Sequence, residues 1–288
     1  MKIRREWLLL LASLIWGVAF VAQDAGMEYI GPYTFVCLRN ILGTCTLLLV
    51  IPLLKQKDEQ AKTYTRRDLI TGGILCGIAL FSASIFQQIG IQYTTVGKAG
   101  FITALYVILV PVLYIFGGNK VSLKIFLCVF VALAGFYFLC MDERMVLQKG
   151  DFYVLVSAVL FAFHILIIDH FSPRTDGVKL SCMQFFTAFV LGLLPMIFLE
   201  HPQVQDVVNA AVPLLYAGIC SSGIAYTLQI VGQKGTDPTI ATMLLSLESV
   251  FSVLAGMVLL HQMLSLREIF GCVLIFAAVI AAQYEKKE

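Results

Sequence analysis

Glu248 stands near the centre of an apolar stretch running from 239 to 260, too deep for its short side chain to reach water at either end. A charge at a bilayer centre costs about 2.5–3.5 kcal/mol on insertion scales, so such a residue faces protein or a wet cavity. At about 100° per residue, Thr242, Leu245, Ser249, Ser252 and Gly256 share one face of the stretch and Glu248 lies on its flank. Its carboxyl group either ties helices together or lines a cavity, where it can bind a solute and exchange protons. His164 lies in the stretch 152–168, on one face with Ser157 and Phe161. It offers the same choice between a packing group and a group that changes charge near neutral pH. Arg39 sits about six residues, or about 9 Å, inside the stretch 33–54. Its long stem can snorkel to the membrane surface, so an interfacial or structural role is expected ahead of anion binding. Lys98, which opens the stretch 98–117, is expected at the interface too.

Uncharged polar and aromatic residues complete the candidate set. Gln184 and Gln229 carry amides suited to a zwitterionic or polar solute, and Trp16, Phe101 and Tyr106 can form a flat apolar wall. One stripe combines Gly73, Gly77 and Ser84 with Gln87 or Gln88, and another holds Gly218, Ser222, Ala225 and Gln229. The glycines of both suit close helix packing, and the glutamines suit a cavity. The expected solute-binding residues are therefore Trp16, Tyr106, His164, Gln184, Gln229 and Glu248, with Glu248 and His164 as the candidates for proton coupling.

Other chemistries leave no trace in the chain. It has no GxxxxGK[ST] phosphate loop and no HExxH pair. Ser157 and His164 stand two turns apart on one helix, too far for a nucleophile and its base. The eight cysteines form no CxxC pair and read as small core residues. No metal, cofactor or enzymatic activity is expected, and the net charge of +2 gives no hint of nucleic acid.

These residues are embedded in ten apolar segments, 7–23, 33–54, 69–91, 98–117, 121–140, 152–168, 178–199, 212–231, 239–260 and 266–283. About 20 helical residues cross a hydrocarbon core, and long runs without two-residue alternation favour helices over barrel strands. The expected fold is an all-α membrane protein of ten transmembrane helices, with the lipid bilayer as its solvent. Gln23, Asp24 and Met27 make no small-residue cleavage site, so the first segment reads as a helix and not a signal peptide. Of the 20 Lys and Arg residues, only Lys98, Arg144, Lys149 and Arg267 fall on the side opposite the N-terminus, and only Arg39 falls well inside a segment. That bias places both termini in the cytoplasm and the chain in the plasma (inner) membrane.

The segments also repeat. Ser13–Phe20 in the first resembles Ala158–Ile165 in the sixth, Thr95–Ala99 resembles Asp237–Ala241, and Val121–Lys124 resembles Leu264–Arg267, all in the same order. Residues 1–145 and 146–288 thus form two halves of five helices. Because five is odd, the second half enters the membrane from the opposite side. Such inverted repeats place a solute site between the halves, exposed alternately to each side as they rock. The pattern favours a secondary transporter over a receptor, channel or membrane enzyme.

Trp16–Gly17, Pro32 to Arg39–Asn40, Lys98 to Tyr106 and Pro111, Ser157 to Ile168, and Leu245 to Val250 together resemble the EamA family of the drug/metabolite transporter superfamily, across essentially the whole chain. The resemblance implies two five-helix inverted repeats, cytoplasmic termini and a central cavity for amino acids, related metabolites or other small organic solutes. Two departures stand out. His261–Gln262 replaces a frequent Gly-Glu pair, and Glu248–Ser249 replaces a usual Glu-Pro, which should leave the ninth helix straighter. The alternatives are a polyspecific exporter of lipophilic or cationic compounds and a structural or sensory membrane protein without flux.

Overall fold

The computed structural model describes residues 5–53, 65–116, 123–140, 147–171, 174–233 and 244–283, which are helical with no strand among them. In chain order the helices are α1 Arg5–Gly26, α2 Pro32–Leu53, α3 Arg66–Ile91, α4 Val96–Ala104, α5 Tyr106–Phe116, α6 Leu123–Cys140, α7 Lys149–Phe171, α8 Gly177–Pro195, α9 Val204–Asn209, α10 Ala211–Leu215, α11 Tyr226–Gln233, α12 Glu248–Leu259 and α13 Leu266–Gln283. A π-helical turn, Met196–Glu200, continues α8, and a longer one, Tyr216–Ala225, joins α10 to α11. Six stretches are long and apolar enough to cross a membrane: Arg5–Gly26, Pro32–Pro52, Arg66–Ile91, Lys149–Ile168, Gly177–Glu200 and Ala211–Gln229. Val96–Val110, Phe126–Cys140 and Leu244–Leu259 are shorter apolar stretches. The chain is an all-α, multi-pass membrane protein. Thr242, the Asp237–Ala241 and Val121–Ser122 motif residues, and the charges Lys2, Arg4, Lys55, Lys57, Lys62, Lys120, Arg144, Lys234, Lys286 and Lys287 lie outside the described residues.

Burial follows lipid, not water. Leu49, Val258 and Phe130 are 74%, 71% and 69% exposed, whereas Gln88 and Gln184 are 0% and 1% exposed. An apolar outer surface costs nothing in hydrocarbon, while polar groups find partners only inside the bundle. Six of the cysteines are buried as expected, but Cys45 is exposed on the outer surface of α2.

Close contacts fix how the helices run. A Cβ on Gly72 would touch the Phe171 ring, one on Gly232 would touch Leu9, and one on Gly90 would meet the Gly150 carbonyl at 2.9 Å. The end of the bundle where α1 begins, here the Arg5 end, therefore also holds the end of α7 and the end of α11. The opposite, Gly26 end holds the starts of α2, α4 and α7. The main pairings are α2 with α8, α3 with α7 and α8, α1 with α12 and the π-helical turn into α11, α4 with α12, and α6 with α13. Glycines make these approaches possible: a Cβ on Gly77 would lie 2.4 Å from Thr187 Cβ, and one on Gly218 2.4 Å from Leu42 Cβ.

Two expectations fail in the same way. The fourth segment is not one helix but breaks at Leu105, and the ninth breaks at Leu247, directly before Glu248. At both points the bonding tightens from four residues to three: Leu105 N–H donates to Ile102 O at 3.2 Å and Leu247 N–H to Leu244 O at 3.3 Å. Losing the proline has not produced an unbroken ninth helix. Serines hold carbonyls there instead, with Ser249 Oγ donating to Ser246 O at 2.8 Å and Ser252 Oγ to Ser249 O at 2.7 Å, a pattern that bends helices.

Candidate functional site

The polar interior surrounds a cavity of about 190 Å³. Trp16, Tyr106, His164, Gln229 and Glu248 all stand on its wall, together with Gln23, Arg39, Ser84, Gln87, Thr103, Ser221 and Tyr226. The two helix breaks meet across this space. Tyr106, the first residue after one break, donates its hydroxyl to Oε1 of Glu248, the first residue after the other, at 3.3 Å. The starts of α5 and α12 are thus tied, each directly after a break.

The second wall is aromatic. Trp16 Nε1 donates to the Ser221 carbonyl at 3.1 Å, which the π-helical turn presents to it. The Trp16 ring meets Tyr226 edge to face at 5.2 Å, and Tyr226 meets Phe185 likewise at 5.2 Å, the arrangement that aromatic quadrupoles favour. Phe101, expected in this wall, is instead buried in the apolar core beside Ile102 and Cys272. It is absent from the lining because Thr103, on nearly the opposite face of α4, is the residue turned to the cavity.

Gln184 also departs from expectation. It is not on the wall but behind it, with Oε1 2.9 Å from His164 Nε2. An amide oxygen only accepts, so Nε2 carries the hydrogen and Gln184 fixes the ring's tautomer and tilt. Its contact with the cavity wall is made through His164.

Arg39, expected in an interfacial or structural role, is bonded inside the bundle. It lines the cavity, and its Nη1 donates to Gln23 Oε1 at 3.1 Å. Gln23 is itself held, since its Nε2 donates to Ala19 O at 3.3 Å and its backbone carbonyl accepts from Gln88 Nε2 at 3.1 Å. Gln87 Nε2 donates to Thr103 Oγ1 at 3.0 Å. Sequence spacing does not disclose the Arg39–Gln23 link, which joins neighbouring helices. Tyr226 was legible, three residues before Gln229 and on the same helix face.

A second polar group closes the Gly26 end. Lys98 is buried at this end of the bundle, and its Nζ lies 2.8 Å from Glu268 Oε1. Thr94 donates its hydroxyl to Asp151, Val96 N–H donates to Gln262 Oε1 at 3.0 Å, and Glu200 accepts from the N–H groups of Tyr33 and Thr34 at 2.8 and 2.7 Å. Gln262 thus caps α4 in the place where the resemblance leads one to expect a carboxylate. His261, in place of glycine, adopts φ 55°, the left-handed conformation glycine would take without strain. On the cavity wall Gln23, Ser84, Gln87 and Thr103 are buried, while Ile165, Ile168 and Gln229, toward the Arg5 end, are half-buried. The cavity is more enclosed toward the Gly26 end.

The chain is a multi-pass helical bundle with a chamber of polar and aromatic groups at its centre. The chain belongs to the EamA-like transporter family, whose profile matches residues 4–141 and again 148–282, within the drug/metabolite transporter superfamily. An uncharacterized transporter of Archaeoglobus fulgidus is 30% identical, over 94% of this chain and 83% of its own. The uncharacterized transporter YoaV of Bacillus subtilis is 24% identical over 93% and 92%. A solved crystal structure, 18% identical, superposes with a TM-score of 0.67 over 97% of both chains, which shows that this fold occurs in an experimental structure.

Proposed function

We propose that the protein is a secondary transporter that moves a small organic metabolite, an amino acid or related solute, by alternating access between two inverted five-helix halves, 1–145 and 146–288. One observation carries the proposal: the cavity is walled by helices from both matches to the family profile and crossed by the Tyr106–Glu248 bond between two interrupted helices. Interrupted helices near the midplane are how such carriers present polar groups to a solute. The pairing pattern supports the inverted repeat, since exchanging α1 for α7, α3 for the turn into α11, α2 for α8, α4 for α12 and α6 for α13 maps the main contacts onto one another. The basic residues support an inner-membrane location with cytoplasmic termini. Glu248 and His164 are the groups through which protons would couple.

Uptake of labelled amino acids and nucleobases into proteoliposomes, with and without an imposed pH gradient, tests this. Saturable flux of one class that responds to the gradient is the expected result. Folded protein with no flux across the panel overturns it. The runner-up, export of lipophilic cations, draws on the aromatic wall beside Glu248. Glu248→Gln separates the two, abolishing cation movement in the exporter but changing only affinity in the metabolite carrier. Unchanged rate and affinity for every solute would remove Glu248 from the site.

A further inference from the structure

Resting on that transport reading, we propose that Arg39 and Glu248 are two separate anchors for one amphoteric solute, the guanidinium holding its carboxylate and Glu248 its ammonium group. An arginine inside a membrane bundle ordinarily faces an acid. Here its hydrogen bond goes to a neutral amide, Gln23, and its Nε is buried with no partner. Neither Arg39 nor Glu248 has an ion-pair partner within 4.0 Å among the described residues, so neither is neutralised by a direct contact. Both nevertheless stand on one cavity wall, with Tyr226 in the same lining.

The arrangement selects by charge pattern. The remaining lining is apolar, aromatic or uncharged polar apart from His164, so the wall carries one permanent cation and one acid, held apart. A solute with a single charge would satisfy one and leave the other unmatched in a medium where charges are poorly screened. A solute bearing both satisfies both. The guanidinium is prepared for this: Gln23 occupies one donor and is itself immobilised from two sides, leaving other donors of the group for a carboxylate. Trp16 and Tyr226 supply a flat apolar surface for the rest of the solute. The subsite thus specifies a solute with a carboxylate, an ammonium group and an apolar substituent.

Equilibrium binding to the purified full-length protein, paired with counterflow in proteoliposomes, tests the assignment. The common α-amino acids are screened first, then the carboxamide and the N-acetyl derivative of the best of them. The amino acid should bind at least tenfold more tightly than either derivative. Arg39→Gln should bring the amino acid down to the level of its amide, and Glu248→Gln to that of the N-acetyl form. If the unsubstituted protein binds no amino acid, or binds the amide or N-acetyl form equally well, the two-anchor assignment falls, whatever the variants do. Flux of other solutes would in that case leave the transport reading standing. The charge-dependent binding pattern without counterflow would overturn transport and keep the site.

Discussion

At the scale of single residues, what His164 can offer a solute is decided behind the wall, by Gln184. The amide takes the Nε2 hydrogen at 2.9 Å, so the ring's acceptor is Nδ1. Both partners are buried, at 3% and 1% exposure, and a buried donor deprived of its acceptor costs about 1–3 kcal/mol. Gln184→Leu should therefore lower the thermal unfolding midpoint of the detergent-solubilised protein. Replacing both residues by leucine should recover part of the loss, because no polar group is then stranded. A double variant less stable than Gln184→Leu alone would mean that the pair does not act as a unit. A milder change is expected at Trp16→Phe, which keeps the edge-to-face contact with Tyr226 and removes the bond to the Ser221 carbonyl. The cost there is about 0.5–1.5 kcal/mol, read as a smaller drop in the same midpoint.

At the scale of elements, the breaks at Leu105 and Leu247 give the cavity its corners, and the second explains a sequence departure that seemed to argue for a straight helix. Ser249 lies in the first turn of α12, where backbone N–H groups have no intrahelical partner and proline is tolerated. Ser249→Pro should leave folding and solute affinity nearly unchanged. Ser252→Pro, one turn further in, removes an interior bond and should cost about 3 kcal/mol, seen as loss of monodisperse protein or a collapsed midpoint. Equal damage from both would place the break elsewhere. The example marks the boundary of what sequence could disclose. Hydropathy and length predicted helix through every apolar segment; intramembrane polarity pointed to Glu248, His164 and Gln229, and aromatic character to Trp16 and Tyr106, all of which line the cavity. Yet a helix broken by a change of bonding register at an ordinary leucine carries no composition signal. Neither does a guanidinium held by a glutamine on the neighbouring helix, and so Arg39 read as a snorkelling residue.

At the scale of the whole molecule, the Gly26 end is fastened by polar contacts that join the first 145 residues to the remainder: Lys98 to Glu268, Thr94 to Asp151, the Val96 amide to Gln262, and the Tyr33 and Thr34 amides to Glu200. If the cavity opens alternately to either side, these contacts belong to only one of the two states. A charge-assisted bond contributes about 1.5–3 kcal/mol, and a differential of 1–3 kcal/mol shifts a two-state equilibrium about 5- to 150-fold. Glu268→Gln should therefore raise the fraction of molecules open at the Gly26 end without altering the cavity itself. The change can be read with a cysteine placed on the wall as Ser84→Cys, in a background where Cys45 and Cys220 are replaced by alanine. In vesicles of known orientation, a membrane-impermeant thiol reagent applied from the Gly26 side should modify it at least fivefold faster when Glu268→Gln is added. Lys98→Met should act in the same direction, and the two together should fall short of the product of their separate effects, since each removes the same bond. Unchanged labelling from that side in all three variants would mean that the Lys98–Glu268 pair stabilises the fold equally in both states and takes no part in closing the cavity.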